Sequence, residues 1–137
     1  MFLIGFPLLI IPFAIYNMIV YLTPGWNLKE TLFSVRMLSG ADMGFSLSDL
    51  LLMFAVLLLF VEVLKATRIG MRSIIDHMLS LLLFIVMMAE FLMSTKAATS
   101  TFLLLTVMCL VDVIGGFSIT IRAARRDIAI DSAERFS

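Results

Sequence analysis

The sequence predicts an all-α membrane protein, a four-helix transmembrane bundle with a short extracytoplasmic β-hairpin between helices 1 and 2. Hydrophobic residues make up 62% of the 137-residue chain and charged residues only 15%. A soluble domain of this length needs far more polar surface. The apolar residues also fall in four long blocks rather than at alternating positions, which is typical of membrane-spanning helices. We therefore expect residues 1–137 to form a single integral membrane domain.

Each apolar block is long enough, with its flanks, to cross roughly 30 Å of hydrocarbon as a helix. The predicted spans cover residues 2–22, 48–66, 73–93 and 100–121, with an outer loop at 23–47 and a cytoplasmic tail at 122–137. Ser48 or Asp49 is the expected N-cap of the second helix, because short polar side chains accept hydrogen bonds from the first N–H groups of a helix.

The positions of the basic residues predict the orientation in the membrane. Seven of the ten lysines and arginines lie between spans 2 and 3 or after span 4. Cytoplasmic loops carry an excess of such residues, so both termini are expected in the cytoplasm. The small size of the chain and the absence of a eukaryotic targeting signal favour a bacterial inner membrane. Contacts with lipid headgroups are expected at Arg68, Arg72, Arg122, Arg125 and Arg126.

The outer loop contains two short runs with strand-like alternation on either side of the turn-forming letters SGAD. This pattern predicts a β-hairpin whose apolar face lies on the helix ends. An irregular loop that touches the lipid headgroups is the alternative. The alternating apolar residues are Phe33, Val35, Met37, Met43, Phe45 and Leu47.

Asp112 is the most informative residue for function, because it lies deep within the fourth apolar block. A carboxylate at the centre of a span costs about 2.5–3.5 kcal/mol on insertion scales, and it must then be paired, neutral or hydrated. We expect Asp112 to be protonated or hydrogen-bonded to another helix. The candidates nearest to it in depth are His77, Ser80 and Glu62.

Four other ionisable residues lie nearer to the ends of the spans. Glu62, Asp76 and His77 are expected within about a turn of the inner interface, where they reach water or cations such as Lys65. Glu90 is expected near the outer interface, beside the cation at position 96. These residues are candidate buried polar or proton-binding groups, and their default interpretation is an interfacial one.

Spans 3 and 4 are expected to pack through faces that combine small and polar residues. Helical spacing of about 100° per residue places Asp112 on such a face of span 4. Small residues let helix backbones approach closely, and polar ones bond across the contact. The residues assigned to this contact are Ser80 on span 3 and Cys109, Gly115 and Gly116 on span 4.

The sequence contains no recognised catalytic motif. It has no nucleophile elbow, phosphate-binding glycine loop or HExxH. A single cysteine excludes an internal disulfide, and a single histidine excludes bis-histidine haem ligation. We expect no enzyme activity, cofactor or metal, and the zero net charge suggests no nucleic-acid partner.

The preferred function is therefore that of a non-enzymatic accessory or scaffold subunit, which binds other membrane proteins or further copies of itself within the lipid bilayer. An oligomeric proton- or ion-coupled transporter or channel that uses Asp112 is the alternative. An enzyme that acts on a lipid or quinone is a weaker third option. The sequence favours Asp112 as a hydrogen-bonding clamp because no second charge of equal depth accompanies it.

Overall fold

The computed structural model describes residues 6–68 and 71–136. Within these ranges the chain forms four α-helices, one two-stranded sheet and a short 3-10 turn at Thr95–Ala97. The elements are α1 (Ile10–Leu22), β1 (Thr31–Arg36), β2 (Asp42–Ser46), α2 (Leu47–Lys65), α3 (Met71–Met93) and α4 (Ser100–Phe136).

Within the described ranges, three helices are long and apolar enough to cross a membrane, namely α2, α3 and α4. α1 has only 13 residues. A helix of that length covers about 20 Å, less than the roughly 30 Å of a hydrocarbon core. The prediction of four spans is therefore wrong in number. The block predicted as span 2–22 gives a shorter helix, and residues 1–5 lie outside the described part of the chain.

α1 begins late because side chains of α2 bind the backbone that precedes it. Lys65 Nζ donates to the carbonyl of Phe6 at 2.7 Å, and the N–H of Leu8 donates to Glu62 Oε1 at 2.7 Å. Pro7, between them, has no N–H to offer a helical turn. These residues therefore lie against α2, and the first helix begins at Ile10.

The helices pack side by side with alternating direction, and α4 contacts both α2 and α3 extensively. We call the end of the bundle that holds the α2–α3 link, with Lys65, Arg68 and Arg72, the basic end. The opposite end, which holds the α3–α4 link, is the hairpin end. α1 runs between the two, because Phe6, just before the helix, bonds to Lys65, and the hydroxyl of Tyr21, near the end of the helix, bonds to Ser94.

Aromatic rings fill the core near the hairpin end. Phe102 is fully buried on α4, and the rings of Phe13, Tyr16 and Phe91 lie with their centroids within 6.5 Å of its ring. These contacts join α1, α3 and α4. Burial of such large rings holds α1 against α3 and α4, since each buried aromatic removes a large apolar area from solvent.

Tyr16 adds polar contacts to this core. Its hydroxyl donates to the carbonyl of Lys96 at 2.8 Å and bonds to Thr99 Oγ1 at 2.7 Å. We expect Tyr16→Phe to lower the free energy of unfolding by about 1–3 kcal/mol, because the two hydrogen bonds of this hydroxyl are lost. Denaturation in mild detergent would measure it. Tyr21→Phe, at an exposed hydroxyl, is the control and should change stability by less than about 0.5 kcal/mol.

The start of α2 differs slightly from the predicted cap. Ser46, rather than Ser48 or Asp49, is the N-cap, and its side chain accepts a bond from the Asp49 N–H. Asp49 Oδ2 in turn accepts a bond from the Ser46 N–H at 3.0 Å, which completes a capping box. Ser48 instead bonds to Thr101 Oγ1 at 2.5 Å and so joins α2 to α4.

The structure confirms the predicted hairpin. β1 pairs antiparallel with β2, with Phe33 opposite Phe45 and Val35 opposite Met43. The turn contains Gly40 with φ of 89°, which glycine adopts at little cost. The expected cover for the apolar face is not found, because all of β1 is exposed and Phe33, Val35 and Met43 are 45–48% exposed. β2 continues directly into α2, with no residue between the strand and the helix.

Candidate functional site

Glu62, Lys65 and Asp76 form a buried group at the basic end, which we call the charged cluster. Each residue is at most 8% exposed. Lys65 Nζ lies 3.0 Å from Glu62 Oε1 and 3.4 Å from the Asp76 carboxylate. Glu62 and Lys65 share a face of α2 because they are three residues apart, and Asp76 approaches from α3.

The charged cluster also binds the backbone of the residues just before α1. An ammonium has three donors, and those of Lys65 reach the two carboxylates and the carbonyl of Phe6. Glu62 accepts a further bond from the N–H of Leu8. Buried charges are tolerated only when they are paired and hydrogen-bonded, and both conditions hold for Lys65 and Glu62.

Asp112 lies on α4, farther from the basic end than the charged cluster, and is only 2% exposed. The hydroxyl of Ser80 on α3 is next to its carboxyl group, and the charges of Glu62, Asp76 and Lys65 are within electrostatic reach. Ser80 Oγ and Asp112 Oδ2 are both buried, and neither forms a hydrogen bond of good geometry with a described residue, although the two side chains are neighbours. An orphaned buried carboxylate oxygen is costly. Asp112 is therefore the incompletely satisfied member of this group.

His77 makes a separate connection at the same end. Its Nε2 lies 2.7 Å from Thr120 Oγ1, and that hydroxyl donates its own proton to the carbonyl of Ala66 at 3.2 Å. The hydroxyl must therefore accept from the histidine, which places the imidazole proton on Nε2. This chain of bonds joins α3, α4 and the end of α2, so it assigns His77 a structural contact.

Of the four residues expected at the α3–α4 contact, three lie in it and Gly115 does not. A Cβ at Gly116 would lie 2.8 Å from two atoms of the His77 ring, whereas one at Gly115 would have no neighbour within 4 Å. Cys109 is buried, and its thiol donates to the carbonyl of Ser80 at 3.6 Å. Gly116, Cys109 and Ser80 therefore belong to the contact between the two helices, and Gly115 faces away from other side chains.

The remaining candidates lie away from the charged cluster. Glu90 accepts a bond from Asn17 Nδ2 at 3.3 Å, and Lys96, its expected partner, lies over the Tyr21 ring at 4.9 Å. The five arginines expected to contact lipid headgroups have exposed side chains: Arg68, Arg72, Arg122, Arg125 and Arg126.

Some contacts of the site were not predicted from the sequence. Lys65 contacts two carboxylates and the backbone before α1, and the sequence did not predict this combination. The one feature of the sequence that indicates any of these contacts is the three-residue spacing of Glu62 and Lys65. In the described part of the chain, no three histidine, cysteine, aspartate or glutamate side chains are arranged to hold a metal ion.

The fold and the site together define a class of structure: a bundle of apolar helices with a buried charged cluster and an incompletely bonded aspartate. Comparison with protein-family models, with curated proteins and with solved structures finds no match to this chain.

Proposed function

We propose that this chain is an integral membrane protein that binds a proton at Asp112 and works, as an oligomer, in proton- or ion-coupled transport. The observation that carries the proposal is the burial of the Asp112 carboxyl group next to the charged cluster, where Asp112 Oδ2 forms no well-aligned hydrogen bond and only the Ser80 hydroxyl lies beside it among the described side chains. The sequence alone favoured Asp112 as a hydrogen-bonding clamp, because no second deep charge accompanied it. The structure places other buried charges near Asp112, which favours a proton-binding role instead.

The balance of charge supports a bound proton. Glu62, Asp76 and Asp112 would together carry three negative charges against the one positive charge of Lys65, all in a buried region. Uncompensated buried charge is strongly unfavourable, and proton uptake removes it. Glu62 and Asp76 are already paired with Lys65. Asp112 is therefore the carboxyl group to which we assign the proton.

The placement of polar groups supports exchange of that proton with the basic end. Asp76 and Ser80 lie four residues apart on α3, which places them on one face, one turn apart. Asp76 is in the charged cluster, and Ser80 is next to Asp112. Polar side chains thus lead from the basic end into the bundle, which is a common arrangement along proton pathways in membranes.

The proposed location is a bacterial inner membrane, with the basic end in the cytoplasm. Within the described ranges, α2, α3 and α4 are long and apolar enough to cross a bilayer. The excess of lysine and arginine at the basic end supports this orientation.

Asp112→Asn is expected to abolish proton flux in liposomes, reducing it to the level of protein-free vesicles, because an amide cannot ionise. An internal pH-sensitive dye would report the flux under a potassium diffusion potential. Asp131→Asn is the matched control, because that acid lies on the same helix but is largely exposed. It should keep the wild-type flux.

Infrared spectroscopy provides a readout of proton binding that does not depend on flux. The carbonyl stretch of a protonated carboxyl group should be present in the wild-type protein and absent in Asp112→Asn. A band that persists in Asp112→Asn would show that another group holds the proton. Wild-type flux equal to that of empty vesicles would refute transport and leave the proton site to be judged by the infrared result.

The accessory or scaffold function is the second candidate. It is supported by the apolar hairpin face, because Phe33, Val35 and Met43 are about half exposed at a site that no described part of the chain covers. In that case Asp112 is a clamp between helices, so Asp112→Asn keeps folding and partner binding while Asp112→Leu weakens both. A stoichiometric partner that co-purifies in mild detergent would favour this candidate.

A further inference from the structure

α4 is much longer than the bundle requires. Thr120 still bonds to the link after α2, and the helix continues for 16 further residues to Phe136. We call residues 121–136 the α4 extension. Ile121 is 51% exposed and Ile128 is 67% exposed on it. An isolated helix of this length is marginal in water, and exposed isoleucines add no stability to it.

The exposed isoleucines of the extension belong to a repeat that starts inside the bundle. Val107, Ile114, Ile121 and Ile128 follow one another at intervals of seven residues, and they are 44%, 58%, 51% and 67% exposed. Three residues after each of the first three come Leu110, Phe117 and Ala124, all half-buried. We call these seven residues the α4 seam.

The first position of the α4 seam matches that of a parallel two-stranded coiled coil, whereas the second position matches it only at Leu110. Such coils have β-branched residues at one seam position of the heptad and residues such as leucine at the other. Here the first position is valine or isoleucine in all four repeats, and the second is leucine, phenylalanine or alanine. Asp131 and Arg135 occupy the next two seam positions, so the repeat ends after Ile128.

We propose that two copies of this chain associate in parallel through the α4 seam. Lipid alone can cover Val107 and Ile114, since both lie within the part of α4 that packs in the bundle. Ile128 lies beyond Arg122, Arg125 and Arg126 and past the end of the predicted span at residue 121, at a level where lipid tails do not reach. The seam therefore continues from the lipid-covered part of α4 into the part beyond the arginines. A partner that can cover both parts is the same helix of a second copy.

Membrane orientation accounts for the parallel arrangement. Two copies inserted with the same orientation are related by a two-fold axis along the membrane normal, which brings the same face of each α4 together. The inference rests on the membrane location proposed above, but it does not rest on proton binding. Asp112 is buried on the opposite face of α4, two residues before Ile114, so each copy keeps its own site.

Disulfide cross-linking tests the arrangement. The Cys109→Ser substitution first removes the one native cysteine of the sequence. Ile121→Cys and Ile128→Cys are then introduced separately, and each single-cysteine protein is oxidised in native membranes and analysed on a non-reducing gel. Most of the chain should migrate as a covalent dimer. Ile130→Cys is the matched control, because Ile130 is 54% exposed on the same extension but lies on the other side of the helix. It should form at least about fivefold less dimer, since a coil holds its outer positions apart.

The proposal would be overturned by equal cross-linking at positions 128 and 130. It would also be overturned if neither Ile121→Cys nor Ile128→Cys formed a covalent dimer. Native mass spectrometry of the unmodified chain gives a second measurement that needs no substitution. It should report the mass of two chains, and a mass of one chain would also overturn the proposal. Flux through Asp112 is not measured in either experiment, so a failed dimer is distinguishable from a failed proton site.

Discussion

Replacement of Lys65 with methionine is expected to lower the free energy of unfolding by about 3–5 kcal/mol, the range measured when one partner of a buried ion pair is removed. The ammonium of Lys65 is shared by Glu62 and Asp76 and also binds the carbonyl of Phe6. Methionine keeps most of the length of the side chain but has no charge. Two buried carboxylates would then face one another without a cation between them, and α1 would lose a bond at its start.

Unfolding in mild detergent, followed by circular dichroism, would measure this loss. Lys29→Met is the matched control, because Lys29 is exposed and the change should stay within about 0.5 kcal/mol. The loss in Lys65→Met should shrink as the pH falls, since protonated carboxyl groups need no counter-charge. A loss below about 1 kcal/mol at neutral pH would indicate that water already compensates the two carboxylates.

Gly116→Ala is expected to lower the free energy of unfolding by about 1–3 kcal/mol, the usual cost of overpacking. The new methyl group would lie 2.8 Å from Cε1 and Nδ1 of the His77 ring. That ring cannot easily move, because it is buried, bonded to Thr120 and packed on Phe117. Gly115→Ala should instead stabilise α4 by about 0.5–1 kcal/mol, because alanine favours a helix and no atom lies near its methyl group.

The adjacent glycines therefore form a matched pair with opposite expected signs, which thermal unfolding of the two variants would compare. A double variant, Gly116→Ala with His77→Ala, tests the cause of the first effect. If the clash with the imidazole is responsible, the second substitution should cost less in the Gly116→Ala background than in the wild type. Strictly additive losses would mean that the methyl group does not act through His77.

Much of the helical framework could be predicted from the sequence, because the lengths of the apolar blocks are a local property. The predicted spans 48–66 and 73–93 closely match α2 and α3. α4 begins at Ser100 as predicted but extends far beyond residue 121. The arginines mark the end of the apolar block, but arginine and alanine are good helix formers and no glycine or proline stops the helix.

The short first helix could not be predicted in the same way. Its start depends on Glu62 and Lys65, more than 50 positions away, which bind the backbone of Phe6 and Leu8. The hairpin shows the same limit. Alternation along β1 and β2 predicted their pairing, but it carries no information about whether another element covers the apolar face.

Within the candidate site, depth in the spans gave His77, Ser80 and Glu62 as candidate neighbours of Asp112, and the structure places the Ser80 hydroxyl next to its carboxyl group. The expected interfacial position of Glu62 also predicted its pairing with Lys65, but it did not predict the burial of the two residues, since the residues before α1 contact both of them. Glu90 was expected beside Lys96, and the structure gives it Asn17 of α1 as a partner. Contacts between helices depend on their relative rotation, which a single sequence does not specify.

The bonds of Phe6 and Leu8 to α2 have a consequence for biogenesis. A ribosome produces the chain from its N-terminus, yet the partners of these two residues lie 59 and 54 positions later. Residues 6–8 thus emerge before α2 but gain their anchor only after α2 has been translated. Contacts of such long sequence separation form late because loop closure must precede them. α1 is therefore synthesised before α2, but its docking waits for that later segment.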